Sequence, residues 1–106
     1  MISVEQISGI GGFYNETEQI GDDKTREVFF VVREDGEKGK VFLVKNKNTL
    51  EMRCDNKLSG LLKEKYESVM ESRYFGRGGI EVVDAGQFEK SEMEDLIRLS
   101  YNMSKE

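Results

Sequence analysis

The sequence predicts an α+β domain: an antiparallel sheet, made of a three-strand meander plus a further strand, with helices packed on one face. Three observations carry that expectation. Apolar segments divided by short Gly- or Asn-bearing turns follow one another through residues 26–54. Two segments with helical spacing come late, each behind a polar residue able to cap it. The resulting order (strand, strand, strand, helix, strand, helix) lacks the strict alternation of a parallel sheet and suits sequential strands joined by turns.

Residues 1–23 carry the weakest pattern. Val4, Ile7 and Ile10 share helical spacing, but Gly9, Gly11 and Gly12 follow at once and erode a helix. A short strand or an irregular segment fits equally well. Glu16, Glu18, Asp22 and Asp23 read as a solvated acidic loop, because their spacing lacks the fixed Gly and closing Glu of a calcium loop. Residues 26–33 (REVFFVVR) are apolar on both faces, as in a central strand covered on both sides. After a turn with Gly36 and Gly39, residues 40–45 (KVFLVK) repeat that pattern. Asn46 and Asn48 turn the chain again. Residues 49–54 then alternate, with Leu50, Met52 and Cys54 inward and Glu51 and Arg53 outward.

Asp55 is placed to cap the next helix, whose expected buried stripe is Leu58, Leu61, Leu62, Tyr66 and Val69. Gly60 inside it costs roughly 1 kcal/mol relative to Ala. Residues 71–78 read as a linker into a strand over 79–84, with Ile80 and Val82 on one face and Glu81 on the other. The last helix is expected behind a capping box of Ser91 and Glu94. Met93, Leu96, Ile97 and Tyr101 form its core-facing stripe.

At 106 residues the chain (1–106) has the size of a single domain. No run is long and apolar enough to cross a bilayer, and the start lacks the basic and apolar regions of a signal peptide, so a cytoplasmic protein without membrane contact is expected. The lone Cys54 cannot form an internal disulfide. There is no His, so neither imidazole ligation nor His-activated nucleophilic catalysis is open to the chain, and one thiol cannot build a zinc site. No enzyme, metal or cofactor is expected. The net charge of −5 argues against coating nucleic acid through bulk electrostatics. Its distribution is uneven: −6 over residues 1–37, +5 over 38–63 and −4 over 64–106. That basic island is either an ordinary solvated surface or an anion-binding face.

Three stretches resemble the MmcQ/YjbR family: VFLVKN followed by DNKLSGLLKEKY, the segment YESVMESRYFGRGG, and the closing LIRLSY with its Ser100-Tyr101 pair. The family's usual aromatic and His near the last strand have no counterpart, Gly78-Gly79-Ile80 standing there instead. The resemblance implies a CyaY-like fold and a DNA-binding protein with a double-wing motif. Fold alone does not settle function.

The binding residues expected for such a role are Lys38, Lys40, Lys45, Lys47, Arg73, Tyr74 and Arg77. Arg offers a planar fork to phosphate, Tyr can stack on a base, and the glycines beside Arg77 let backbone N–H groups face an anion. The competing and commoner reading is a flexible linker whose Tyr74 and Phe75 simply fill the core edge. The partner is then DNA or, in the alternative, a protein, the chain acting as an adaptor domain; the oligomeric state is not legible.

Overall fold

The computed structural model describes residues 7–83 and 88–105. The chain runs β1 (Phe13–Gly21), β2 (Lys24–Val32), β3 (Lys38–Lys45), β4 (Thr49–Arg53), α1 (Asn56–Lys65), β5 (Val69–Ser72), β6 (Gly76–Val83) and α2 (Lys90–Ser104). All strands join one six-stranded antiparallel sheet in the order β1-β2-β3-β4-β6-β5. The chain leaves the meander through α1, returns at the far edge as β5 and turns back, so that β6 lies between β5 and β4.

The α+β class and the antiparallel meander are as expected, but the sheet is larger. Two strands are missing from the sequence reading. β1 falls where an acidic loop was expected: it is an edge strand whose residues after Phe13 are all exposed, so no alternation of apolar side chains marks it. Its polar side chains are used laterally instead, Asn15 Nδ2 and Thr17 Oγ1 both donating to Glu27 on β2. β5 falls where the end of the first helix and a linker were expected. Tyr66 has extended backbone and closes α1, so Val69 belongs to the sheet rather than to a helical stripe. Leu61 also leaves that stripe and is exposed, while Leu58 and Leu62 face the core.

Two boundaries move. β6 begins at Gly76 rather than Gly79, and Asp84 lies outside the described residues. α2 is capped by Glu89, whose backbone N–H donates to the Glu92 carboxylate at 3.2 Å; Ser91 already lies inside the helix, so the Ser91–Glu94 box does not form. Asp55 caps α1 as expected, its carboxylate accepting from the Leu58 N–H at 2.8 Å. Of the N-terminal segment, Val4 lies outside the described residues; Ile7 is on helical backbone and buried in the core.

The core joins Phe29, Leu43, Leu50, Met52 and Ile80 of the sheet to Met93, Ile97 and Tyr101 of α2. Phe42 is packed edge-on against Tyr101, with ring centres 4.9 Å apart. Beyond the Leu43–Met52 pair the backbones of β3 and β4 are no longer paired, although the Arg53 Nε donates to the Val41 carbonyl at 2.9 Å. Ser100 of α2 fills the gap: its buried hydroxyl donates to the Phe42 carbonyl at 2.6 Å and accepts from the Arg53 N–H at 2.7 Å. A helix side chain thus supplies a rung of the sheet, satisfying two backbone groups whose burial without partners would be costly. The next residue, Tyr101, donates its hydroxyl to the Gly12 carbonyl at 2.6 Å. Its ring lies so close to Gly11 that a Cβ there would sit 2.8 Å from it.

Candidate functional site

Cross-strand register places Glu51 of β4 directly opposite Glu81 of β6, and both carboxylates are almost fully buried, at 1% and 2% exposure. The sequence reading set both outward from the core, and they do alternate away from Leu50, Met52, Ile80 and Val82. They are nonetheless covered, because the β5–β6 connection folds back over this face. Like charges directly opposite each other oppose pairing unless donors compensate them. Glu51 accepts from Ser72 Oγ at 2.9 Å, the Tyr74 N–H at 2.8 Å and Asn46 Nδ2 at 2.8 Å. Glu81 accepts from Arg73 Nε at 3.0 Å, Arg73 Nη2 at 2.8 Å and Thr49 Oγ1 at 3.0 Å. Burial by itself would raise the pKa of Glu51. The hydrogen bonds from Asn46, Tyr74 and Ser72, with the Arg73 charge, outweigh it and hold the carboxyl below its ordinary value. The forked bond to Glu81, and then its charge, hold Arg73 protonated.

This network sets the path of the 73–75 connection and so the placement of its side chains. Tyr74 extends to β2, where the Arg26 guanidinium lies over its ring at 5.0 Å. Phe75 rests on Gly79, where a Cβ would come within 2.6 Å of Phe75 Cβ and of the Met52 carbonyl, and carries Arg53 over its own ring at 5.0 Å. The glycine admits the aromatic side chain onto the sheet.

Beside the network opens a groove of about 870 Å3, walled by the β1–β2 hairpin tip, the β3–β4 turn and Arg73. Lys24, Arg26, Lys45, Lys47 and Arg73 line it, against Asp22, Asp23 and Glu27. Arg26 is also paired with Glu18 at 2.7 Å, while its buried Nε has no hydrogen-bond partner among the described residues. Lys24 and Lys47 enter no ion pair among the described residues. Three of the expected binding residues therefore share one concavity, Lys45, Lys47 and Arg73, with Tyr74 next to it.

The other three lie elsewhere. Lys38 and Lys40 are towards the opposite end of β3, roughly 24 Å and 17 Å from Lys45 at about 3.4 Å per residue. There they line a second groove of about 630 Å3 together with Arg33, Glu34 and Lys105. Lys38 is paired with Glu16 and covers the Phe30 ring at 4.5 Å. Arg77 is exposed near the start of β6 and lines neither groove. The basic island of the sequence is thus divided by the strand that carries much of it.

Lys24 and Arg26 escaped the sequence reading because they sit in the acidic first third of the chain. The signal that would have found them is the two-residue turn Asp22-Asp23 between paired Gly21 and Lys24, with Asp23 at φ 58°. Asp tolerates that left-handed conformation, and the turn returns the chain as a hairpin.

Cys54 is buried beside a cavity of about 90 Å3 lined by Met52, Leu58, Ile80 and Leu96. Burial, then the charge of Asp55, pushes its thiol up to about 11, so it is a poor nucleophile at neutral pH. Among the described residues no group of three or more Cys, Asp or Glu could hold a metal, and no helix is long and apolar enough to cross a membrane.

No protein-family model, curated protein or solved structure matches this chain.

Proposed function

We propose that the chain is a non-enzymatic nucleic-acid-binding module, of the CyaY-like type that the MmcQ/YjbR resemblance implies, which contacts phosphates through the groove beside Arg73. One observation carries the reading: five cations from three separate parts of the chain, Lys24 and Arg26, Lys45 and Lys47, and Arg73, line a single concavity in a protein of net charge −5. Tyr74, 37% exposed, stands beside them as a surface on which a base can stack. The structural uses of Ser100 and Tyr101 give a physical reason for a closing Ser-Tyr pair, which supports the resemblance in fold.

The groove selects for charge rather than sequence. Arg26 and Arg73 already serve Glu18 and Glu81, and three acids share its walls, so phosphate contacts rest chiefly on Lys24 and Lys47. Such contacts position a duplex without reading it. Fluorescence anisotropy with duplex DNA, titrated at low and at moderate salt, tests this. Binding is expected to weaken as salt rises, with a slope that falls by about 1 for each phosphate-contacting Lys replaced by Ala. A Lys24→Glu, Lys47→Glu double variant should lose binding while keeping its fold, since neither side chain enters an ion pair among the described residues. Absence of binding at low salt, or binding that the double variant retains, overturns the reading.

A second reading, a protein-interaction or adaptor domain, is favoured by the separation of Lys38, Lys40 and Arg77 from the groove and by Asp22, Asp23 and Glu27 on its walls. It predicts no DNA binding in the same titration.

A further inference from the structure

β1 is an edge strand of nine residues, bonded to β2 on one side and, among the described residues, to no strand on the other. An edge of this length presents a row of backbone N–H and C=O groups to any strand that fits. Proteins blunt such edges with Lys, Pro, bulges or short strands. β1 contains neither Lys nor Pro; its two charged residues, Glu16 and Glu18, are each neutralised by a cation of the same chain, and its one register irregularity, between Gln19 and Gly21, is confined to the hairpin end.

Read outward from Thr17, the strand is chemically symmetric. Glu16 mirrors Glu18, Asn15 mirrors Gln19, and Tyr14 mirrors Ile20. We propose that β1 pairs antiparallel with β1 of a second copy of this chain, about a two-fold axis at Thr17, so that two sheets become one continuous sheet. A two-fold interface brings the same patch of both copies together and must be self-complementary. In this register Asn15 lies opposite the partner's Gln19, its Nδ2 remaining bonded to Glu27 and the Val28 carbonyl of its own chain. Tyr14 and the partner's Ile20 cover each other; the two residues are 43% and 49% exposed in the single chain. Glu16 faces the partner's Glu18, and each enters with a cation from its own chain, Lys38 for Glu16 and Arg26 for Glu18. Moving the axis to Glu16 loses these matches, setting Tyr14 against the partner's Glu18 and Glu16 against itself. The occupant is therefore a copy of the chain in one register. A single strand pair buries less than the roughly 1,200 Å2 at the lower end of stable interfaces, so the association is weak and concentration-dependent.

Ile20 also lines the groove, but this inference does not rest on DNA binding, and its test reads mass. Sedimentation equilibrium of the chain over rising concentration should show the average mass climbing from one chain towards two, and Ile20→Asp should suppress the climb. Register is read by cysteine cross-linking, for which buried Cys54 is a silent background. Thr17→Cys meets itself across the axis and should oxidise to a covalent dimer. Asn15→Cys, opposite the partner's Gln19, should not. Circular dichroism establishes that both variants fold. A mass of one chain up to millimolar protein overturns the proposal, as does cross-linking of Asn15→Cys as readily as Thr17→Cys.

Discussion

Glu51 is the residue on which the polar side of the sheet depends. Its carboxylate receives a hydroxyl, an amide side chain and a backbone N–H, and it sits across from a second carboxylate that Arg73 and Thr49 satisfy. Replacing it by Ala removes a like charge from Glu81 but strands the donors of Ser72, Asn46 and Tyr74. The desolvation cost of unpaired buried donors outweighs the relieved repulsion, and a net loss of roughly 3 kcal/mol is expected in chemical denaturation. The pH dependence has a definite sign. A carboxyl held below its ordinary value when folded contributes stability that is present above that value and is lost as pH falls through the lowered one. Wild type should therefore lose stability below about pH 4.5, the ordinary value, more steeply than Glu51→Ala does. None of this was legible in the sequence. An acidic residue at an outward position of an alternating strand reads as solvated, and only a segment about twenty residues later in the chain, folding back over it, changes its surroundings.

At the scale of elements, legibility followed burial. β2, β3 and β4 announce themselves because their side chains fill a core; β1 and β5, both edges, do not. The helices were legible in kind but not in extent, since their ends are set by what the next segment pairs with. α1 stops at Lys65 because Val69 is needed opposite Val82, a demand that helical spacing does not record. Gly60 is a local defect that this context leaves in place. It lies inside α1 on the exposed side, and a Cβ there meets nothing within 4 Å. Gly60→Ala should therefore stabilise the protein by about 1 kcal/mol, measured as a shift in the denaturation midpoint with unchanged slope. The same substitution at Gly79 should destabilise it, because the space is taken by Phe75 and the Met52 carbonyl.

On the scale of the whole molecule, topology rather than sequence proximity decides which charges act together. The basic run of residues 38–63 left open whether its cations share a face; β3 carries Lys38 and Lys40 to one end of the sheet and Lys45 to the other. The hairpin of β1 and β2 then brings Lys24 and Arg26, from an acidic stretch, to the end where Lys45, Lys47 and Arg73 lie. A charge map along the chain could show that cations were abundant, but not which of them share a surface, because that requires strand order and register.

The hydroxyl of Ser100 has a dynamic consequence. Because it accepts the Arg53 amide proton, that proton can exchange with solvent only when α2 lifts from the sheet, so its exchange rate becomes a clock for helix detachment. Its neighbours in β4 bond to strands and should exchange only when the sheet itself opens. In Ser100→Ala the Arg53 amide should lose its protection while that of Met52 retains it. The C-terminal helix would then be seen as a latch that can be released without dismantling what it closes.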